Sequence, residues 1–195
     1  LLLFVACCMG CMDARLTTPA RSATEQLLLT TAADLAVGQL RLDGLAGRRV
    51  VIKTSKLDGY AGDYLTCAVT DAVNRQGALL AEDPEEAEAV LMIRTGALSV
   101  DRSDFLLGAP SLNLPLPFGG SIRTPEIPFL KKIKLTGIAR IAAHAYEPKT
   151  GKIVMASDAA SGLSYYSLWT VLGITFRATN IPEKRPRFAW WPWGT

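Results

Sequence analysis

Between Phe105 and Pro128 the chain carries five of its eleven prolines, at positions 110, 115, 117, 125 and 128. Proline has no amide hydrogen and a fixed φ, which excludes a regular helix or a central strand from this stretch. Any regular architecture must be built from the sequence on either side of it. Within the stretch Leu112, Leu114, Leu116 and Phe118 alternate with Ser111, Asn113, Pro115 and Pro117. Extended backbone places all four apolar side chains on one side. We expect a loop, 105–128, that either lies across the domain's own core or meets lipid or a neighbouring subunit. Its apolar stripe is the first candidate interaction surface.

Periodicity organises the rest. Ser22-Ala-Thr-Glu25 has capping-box spacing, and Leu27, Leu28, Thr31, Leu35 and Leu40 recur at helical spacing, predicting a helix from Ser22 to about Leu42. Arg49–Thr54 reads as a strand, and Leu65, Ala68, Val69, Ala72 and Val73 share one face of a second helix that Gly77 ends. A strand over 78–81, a very short helix over 83–86 and a strand over 89–100 follow. Glu147 to Gly151 reads as the turn of a hairpin between strands 133–146 and 152–157. Ala159–Phe176 has no charge, but its Ser, Tyr and Thr content favours strand over a membrane helix. The expected class is α/β (α+β): two main helices packed on one face of a mixed sheet, a long C-terminal β-hairpin and the Pro-rich loop. Leu28, Leu35, Val51, Leu65, Val69, Val90 and Ile141 are the expected core.

The start of the chain speaks of compartment. Leu1–Gly10 is ten uncharged residues, about half the length of a spanning helix, and has the character of a signal-peptide apolar region whose start precedes Leu1. Gly10-Cys11 follows it in the manner of a lipobox, with Cys8 where leucine is commoner. We therefore expect cleavage before Cys11, acylation of Cys11 and a tether over 11–21. One domain then spans 22–182 with the Pro-rich insertion 105–128, and a basic, Trp-rich tail spans 183–195. Met12 after the acceptor resembles outer-membrane sorting, giving the periplasmic face of that membrane as the location. Cys67 is left as a single thiol, expected to be a small core residue.

The summed charge of +3 does not suggest nucleic acid, and no phosphate-binding glycine loop points to a nucleotide. The charge is uneven. Residues 1–130 hold 11 basic and 15 acidic side chains, and residues 131–195 hold 10 and 3. Lys131, Lys132, Lys184, Arg185 and Arg187, with Trp190, Trp191 and Trp193, therefore join the candidate surface, since Trp and basic residues favour anionic interfaces. Catalytic signals are weak. There is no nucleophile elbow, His144 is the sole imidazole and alternates within a strand, and Asp58, Asp63, Asp101 and Asp104 are commonplace acids near strand ends. No ligand spacing points to a metal, and neither a cofactor nor enzymatic activity is expected.

Thr18 to Leu29, Arg94-Thr95-Gly96-Ala97, Pro125-Glu126 and Ala145 to Gly151 resemble a family of uncharacterised bacterial lipoproteins. That resemblance implies a compartment and no activity. The order strand, helix, strand and a long hairpin ending in Lys149-Thr150-Gly151-Lys152 is similar to the periplasmic domain of the curli secretion-channel lipoproteins. It is similar also to the N-terminal domain of the TolB translocation protein. The expected function is a membrane-anchored, non-catalytic interaction or assembly module with an envelope protein partner or self-association. A subunit of an oligomeric outer-membrane export assembly is the alternative.

Overall fold

The computed structural model describes residues 21–54 and 60–182. Helices α1 (Ala23–Val37) and α2 (Tyr60–Arg75) accompany eight strands. These are β1 (Arg49–Thr54), β2 (Leu79–Leu80), β3 (Ala89–Ala109), β4 (Asn113–Pro115), β5 (Ser121–Arg123), β6 (Ile127–Tyr146), β7 (Ile153–Val171) and β8 (Ile174–Thr179). Six strands form one mixed sheet in the order β2-β1-β3-β6-β7-β8, and β4 pairs with β5 apart from it. Strand β1 runs parallel to both its neighbours, and the remaining pairs are antiparallel. The protein is α+β with a sheet much larger than its helices.

Helix α1 starts where its capping box requires. The Ser22 amide donates to Glu25 Oε2 at 2.9 Å, and the Glu25 amide donates to Ser22 Oγ at 3.3 Å. It ends at Val37, before the expected Leu42, because Gly38 and Leu40 turn the backbone back onto Asp34 and Val37. Its inward face also differs from the leucine spacing. Leu28, Leu29, Ala32, Ala33, Ala36 and Val37 are buried, whereas Leu35 is 44% exposed and Leu27 is exposed too. The reason lies in the sheet beneath. A Cβ at Gly162 would overlap the Ala32 carbonyl oxygen and lie 2.7 Å from the Ala36 amide; one at Gly137 would lie 2.6 Å from the Leu28 carbonyl oxygen. The helix backbone thus rests on two glycines, so its alanines face inward and bulkier Leu35 cannot. Buried Ser164 completes the floor, its hydroxyl donating to the Leu28 carbonyl at 2.6 Å.

Helix α2 follows its pattern closely. Leu65, Val69 and Val73 are fully buried in one core with Ala32, Ala36, Val50, Leu91, Ile93 and Ile141. At its end the Ala78 amide donates to the Val73 carbonyl and the Gly77 amide to Asn74, the doubly bonded termination that needs a left-handed residue; Gly77 has φ +80. Cys67 lies on the outer side of this helix and is exposed, not core as expected. The helix expected over 83–86 is a turn instead. The Asp83 carboxylate accepts the Glu85 amide at 2.9 Å, and four residues are too few to nucleate a helix against that competing bond. Val51, Val90 and Ile141 are buried as expected.

Strands β3, β6 and β7 are 21, 20 and 19 residues long. At roughly 3.3 Å per residue each spans about 65 Å, far beyond the reach of the helices. Helix α1 ends its cover near the row of Val100, Gly137 and Ser164. Beyond that row the strands continue as a blade to Leu107, Leu130, Val171 and Ile174. Among the described side chains of that outer part only Ser167 is buried.

Candidate interaction surface

The Pro-rich segment is not a structureless loop across the core. Residues 105–109 belong to β3, and 127–128 open β6. Pro128 is tolerated because it lies at a register shift beside Gly108 and beyond the last β7 partner, so no ladder bond is lost there. Between these strands β4 and β5 form a small hairpin at the blade's outer end. Asn113, Leu114 and Pro115 face Arg123, Ile122 and Ser121, and the Leu112 and Thr124 backbones bond across its base. Leu112, Leu114 and Leu116 are exposed, and Phe118, in the turn before Gly119 and Gly120, is 100% exposed. The stripe therefore faces outward; it covers no core.

The register gathers further apolar residues beside this hairpin. One four-strand row is Leu107, Leu130, Val171 and Ile174, and the next on the same face is Phe105, Lys132, Trp169 and Phe176. Counting along each strand from Val100, Gly137 and Ser164 places both rows on the face opposite α1. Phe105, Leu107, Trp169, Val171, Ile174 and Phe176 are all exposed. The Lys132 ammonium sits 4.3 Å from the centre of the Trp169 ring. Lys131, on the other face, donates to Glu126 at 2.6 Å. Glu126 is the single acid between Phe105 and Lys134, so Arg123, Lys132 and Lys134 carry the net charge of this end.

The β7–β8 turn adds an unusual residue. Leu172 has φ +48 and is 74% exposed. Its amide donates to the Phe129 carbonyl at 3.0 Å, which fixes the turn at the same end as the β4–β5 hairpin. Left-handed backbone costs a residue with a Cβ about 1–2 kcal/mol, and asparagine or glycine would serve the turn better. An exposed leucine at that cost offers the fold itself nothing in return.

Leu112, Leu114, Leu116, Phe118, Lys131 and Lys132 thus come together at one end of the blade. Cys11, Lys184, Arg185, Arg187, Trp190, Trp191 and Trp193 lie outside the described residues. Sequence reasoning missed Phe105, Leu107, Leu130, Trp169, Leu172 and Phe176. Their signal was the strict alternation of 105 with 107 and of 169 with 171, and the Leu172-Gly173 turn that returns Ile174 and Phe176 to the same face. Elsewhere, an open groove of about 390 Å³ between the helices is lined by Asp34, Tyr64, Asp71 and Arg75 among others, and the Tyr64 hydroxyl donates to the Asp34 carboxylate at 3.0 Å. His144 is an exposed strand residue opposite Met92. Among the described residues no group of three His, Cys, Asp or Glu is placed to hold a metal ion, and no helix is long and apolar enough to cross a membrane.

A small α+β body from which a long, apolar-tipped β-blade projects is the class of protein that this geometry defines. The chain belongs to DUF6655, a family of unknown function, which it matches over residues 7–183. No characterised protein matches the sequence.

Proposed function

We propose that this chain is a cell-envelope lipoprotein, acylated at Cys11 and held at the periplasmic face of the outer membrane. There it acts as a non-catalytic interaction or assembly module, with an envelope protein or another copy of itself as partner. The observation that carries the reading is the division of the fold into a packed body and a blade in which, among the described side chains, Ser167 alone is buried and the rest are half-buried or exposed. Strands that extend far past their core are costly as exposed apolar surface and are explained by a partner. In this reading both helices pack on one face of the sheet, which is supported by Leu65, Val69 and Val73 sharing a core with Ala32 and Ala36. No residue is assigned a catalytic role, and no cofactor, nucleotide or nucleic acid is invoked.

The second reading is a subunit of an oligomeric outer-membrane secretion or export assembly, favoured by one feature. Among the described residues β3 has no strand on its outer edge from Arg94 to Ala109, and such an edge is a template for strand addition by another copy. Cross-linking in intact envelopes followed by intact-mass analysis tests both readings. We expect a diacyl or triacyl adduct on Cys11 and a cross-linked envelope partner. Rings in negative-stain images of detergent-extracted protein favour the second reading, and an unmodified chain without partners contradicts both.

A further inference from the structure

We propose that the outer end of the blade docks on an anionic phospholipid surface, dipping the Phe118 and Leu172 turns and the Phe105/Trp169/Phe176 row into the interface without crossing it. The inference rests on the reading of the chain as an envelope lipoprotein and identifies a second membrane contact, independent of the acyl group.

Three observations converge on this end. The first is apolar display: two turns, β4–β5 and β7–β8, carry Phe118 and Leu172 at their tips, where water-facing turns carry polar residues. The second is charge. Glu126 is taken up by Lys131, and Lys132 and Lys134 stand on the same face as the aromatic row, with Lys132 over Trp169. Tryptophan backed by lysine is the residue pairing of membrane–water interfaces, the ring at headgroup level and the ammonium towards anionic groups. The third is the side from which the chain emerges. Arg21 and Glu25 line one groove with Ser99 and Val100, so α1 begins at the blade and runs away from its tip. Val100 lies seven residues from Leu107, roughly 23 Å along the strand. The ten residues between Cys11 and Ser22 can cover up to about 35 Å when extended, enough to bring an anchor at Cys11 level with the Leu107 row.

Shallow docking is preferred over spanning by a single copy. The strands behind the apolar rows carry Asp101, Arg102, Asp104 and Lys134, and among the described residues β3 keeps an open edge whose amides and carbonyls would be unsatisfied in hydrocarbon.

The test is flotation of the mature chain, residues 11–195, produced with Cys11→Ser so that no acyl group contributes. Vesicles of phosphatidylethanolamine with phosphatidylglycerol are compared with vesicles of phosphatidylcholine alone. The chain should bind the anionic vesicles, less tightly at high salt, and the neutral ones weakly. Phe118→Ser with Leu172→Asn should lower the partition coefficient by about tenfold or more, while thermal stability holds or rises because asparagine suits φ +48. Lys132→Gln with Lys134→Gln should abolish the preference for anionic vesicles. Absence of binding, or binding unchanged in the Phe118/Leu172 variant, overturns the proposal. Dye release with denaturant-resistant oligomers overturns it in favour of spanning by several copies. Because the acyl group is removed throughout, failure here leaves the Cys11 reading standing, and failure of acylation leaves this one standing.

Discussion

Gly162→Ala is the sharpest perturbation of the body that the geometry offers. Glycine inside a strand is ordinarily a weakness, and replacement by alanine stabilises by about 0.5–1 kcal/mol through the unfolded chain. Here the sign reverses. The added Cβ overlaps the Ala32 carbonyl oxygen and stands 2.7 Å from the Ala36 amide, both backbone atoms of α1 that cannot rotate away. Relief requires the helix to lift from the sheet. Overpacking of this kind costs about 1–3 kcal/mol. Lifting also strains the 2.6 Å bond from Ser164 to the Leu28 carbonyl, whose loss leaves a buried hydroxyl unsatisfied at about 1–3 kcal/mol. Set against the entropic gain, the net is a destabilisation of about 1–5 kcal/mol. For a domain of this size that is a fall of about 2–20 °C in the melting temperature. Thermal unfolding followed by circular dichroism measures it, with Gly151→Ala, at φ +70 with nothing within 4 Å, as the control for backbone strain alone. A melting temperature unchanged or raised in Gly162→Ala refutes the close seating of helix on sheet.

Leu65→Ala should cost about 2–5 kcal/mol, and Leu35→Ala, on the exposed side of α1, less than about 0.5 kcal/mol; urea midpoints of the two variants make the comparison. Ser22→Ala removes one half of the capping box and should cost about 1 kcal/mol, read by the same denaturation. Leu112, Leu114 and Leu116 replaced together by serine should leave the midpoint almost unmoved, because all three are exposed; a large loss would make them core after all.

Much of the body was legible because local chemistry decided it. The Ser22–Glu25 box, the Arg49–Thr54 run, the 65/69/73 face and Gly77 each carry their own physical signal, and each stands where its signal put it. The errors came where the partner surface decided. Leu35 fits a helical apolar stripe, yet the glycine floor at 137 and 162 selects the alanine side, and nothing in the α1 sequence encodes that floor. Strand β3 runs nine residues beyond the expected end at Val100, through Asp101, Arg102, Ser103 and Asp104, whose polarity suits a loop as well as an exposed strand. In an edge strand those polar chains have solvent on both faces, and Arg102 pairs with Asp104 at 2.9 Å. The Pro-rich stretch does contribute to central strands at its two ends, 105–109 in β3 and 127–128 in β6, contrary to the expectation that its prolines exclude one. Its fate as an exposed hairpin depended on β3 and β6 outrunning the core, which no window of sequence displays. Of the candidate surface, the Leu112–Phe118 stripe and the lysines were legible. The aromatic row was not, since it exists only in the register that joins residues 105, 132, 169 and 176.

The most direct measurement places a photoreactive phenylalanine analogue at position 118 or 172, and in a separate chain at position 149, in the β6–β7 turn at the opposite, body end of the sheet. Each unacylated protein is then irradiated on phosphatidylglycerol-containing vesicles. The account predicts phospholipid adducts by mass spectrometry from positions 118 and 172 and none above background from 149. Equal adduct yields at both ends, or adducts at 149 alone, would contradict the assignment of the blade's apolar tip as the surface that meets the membrane.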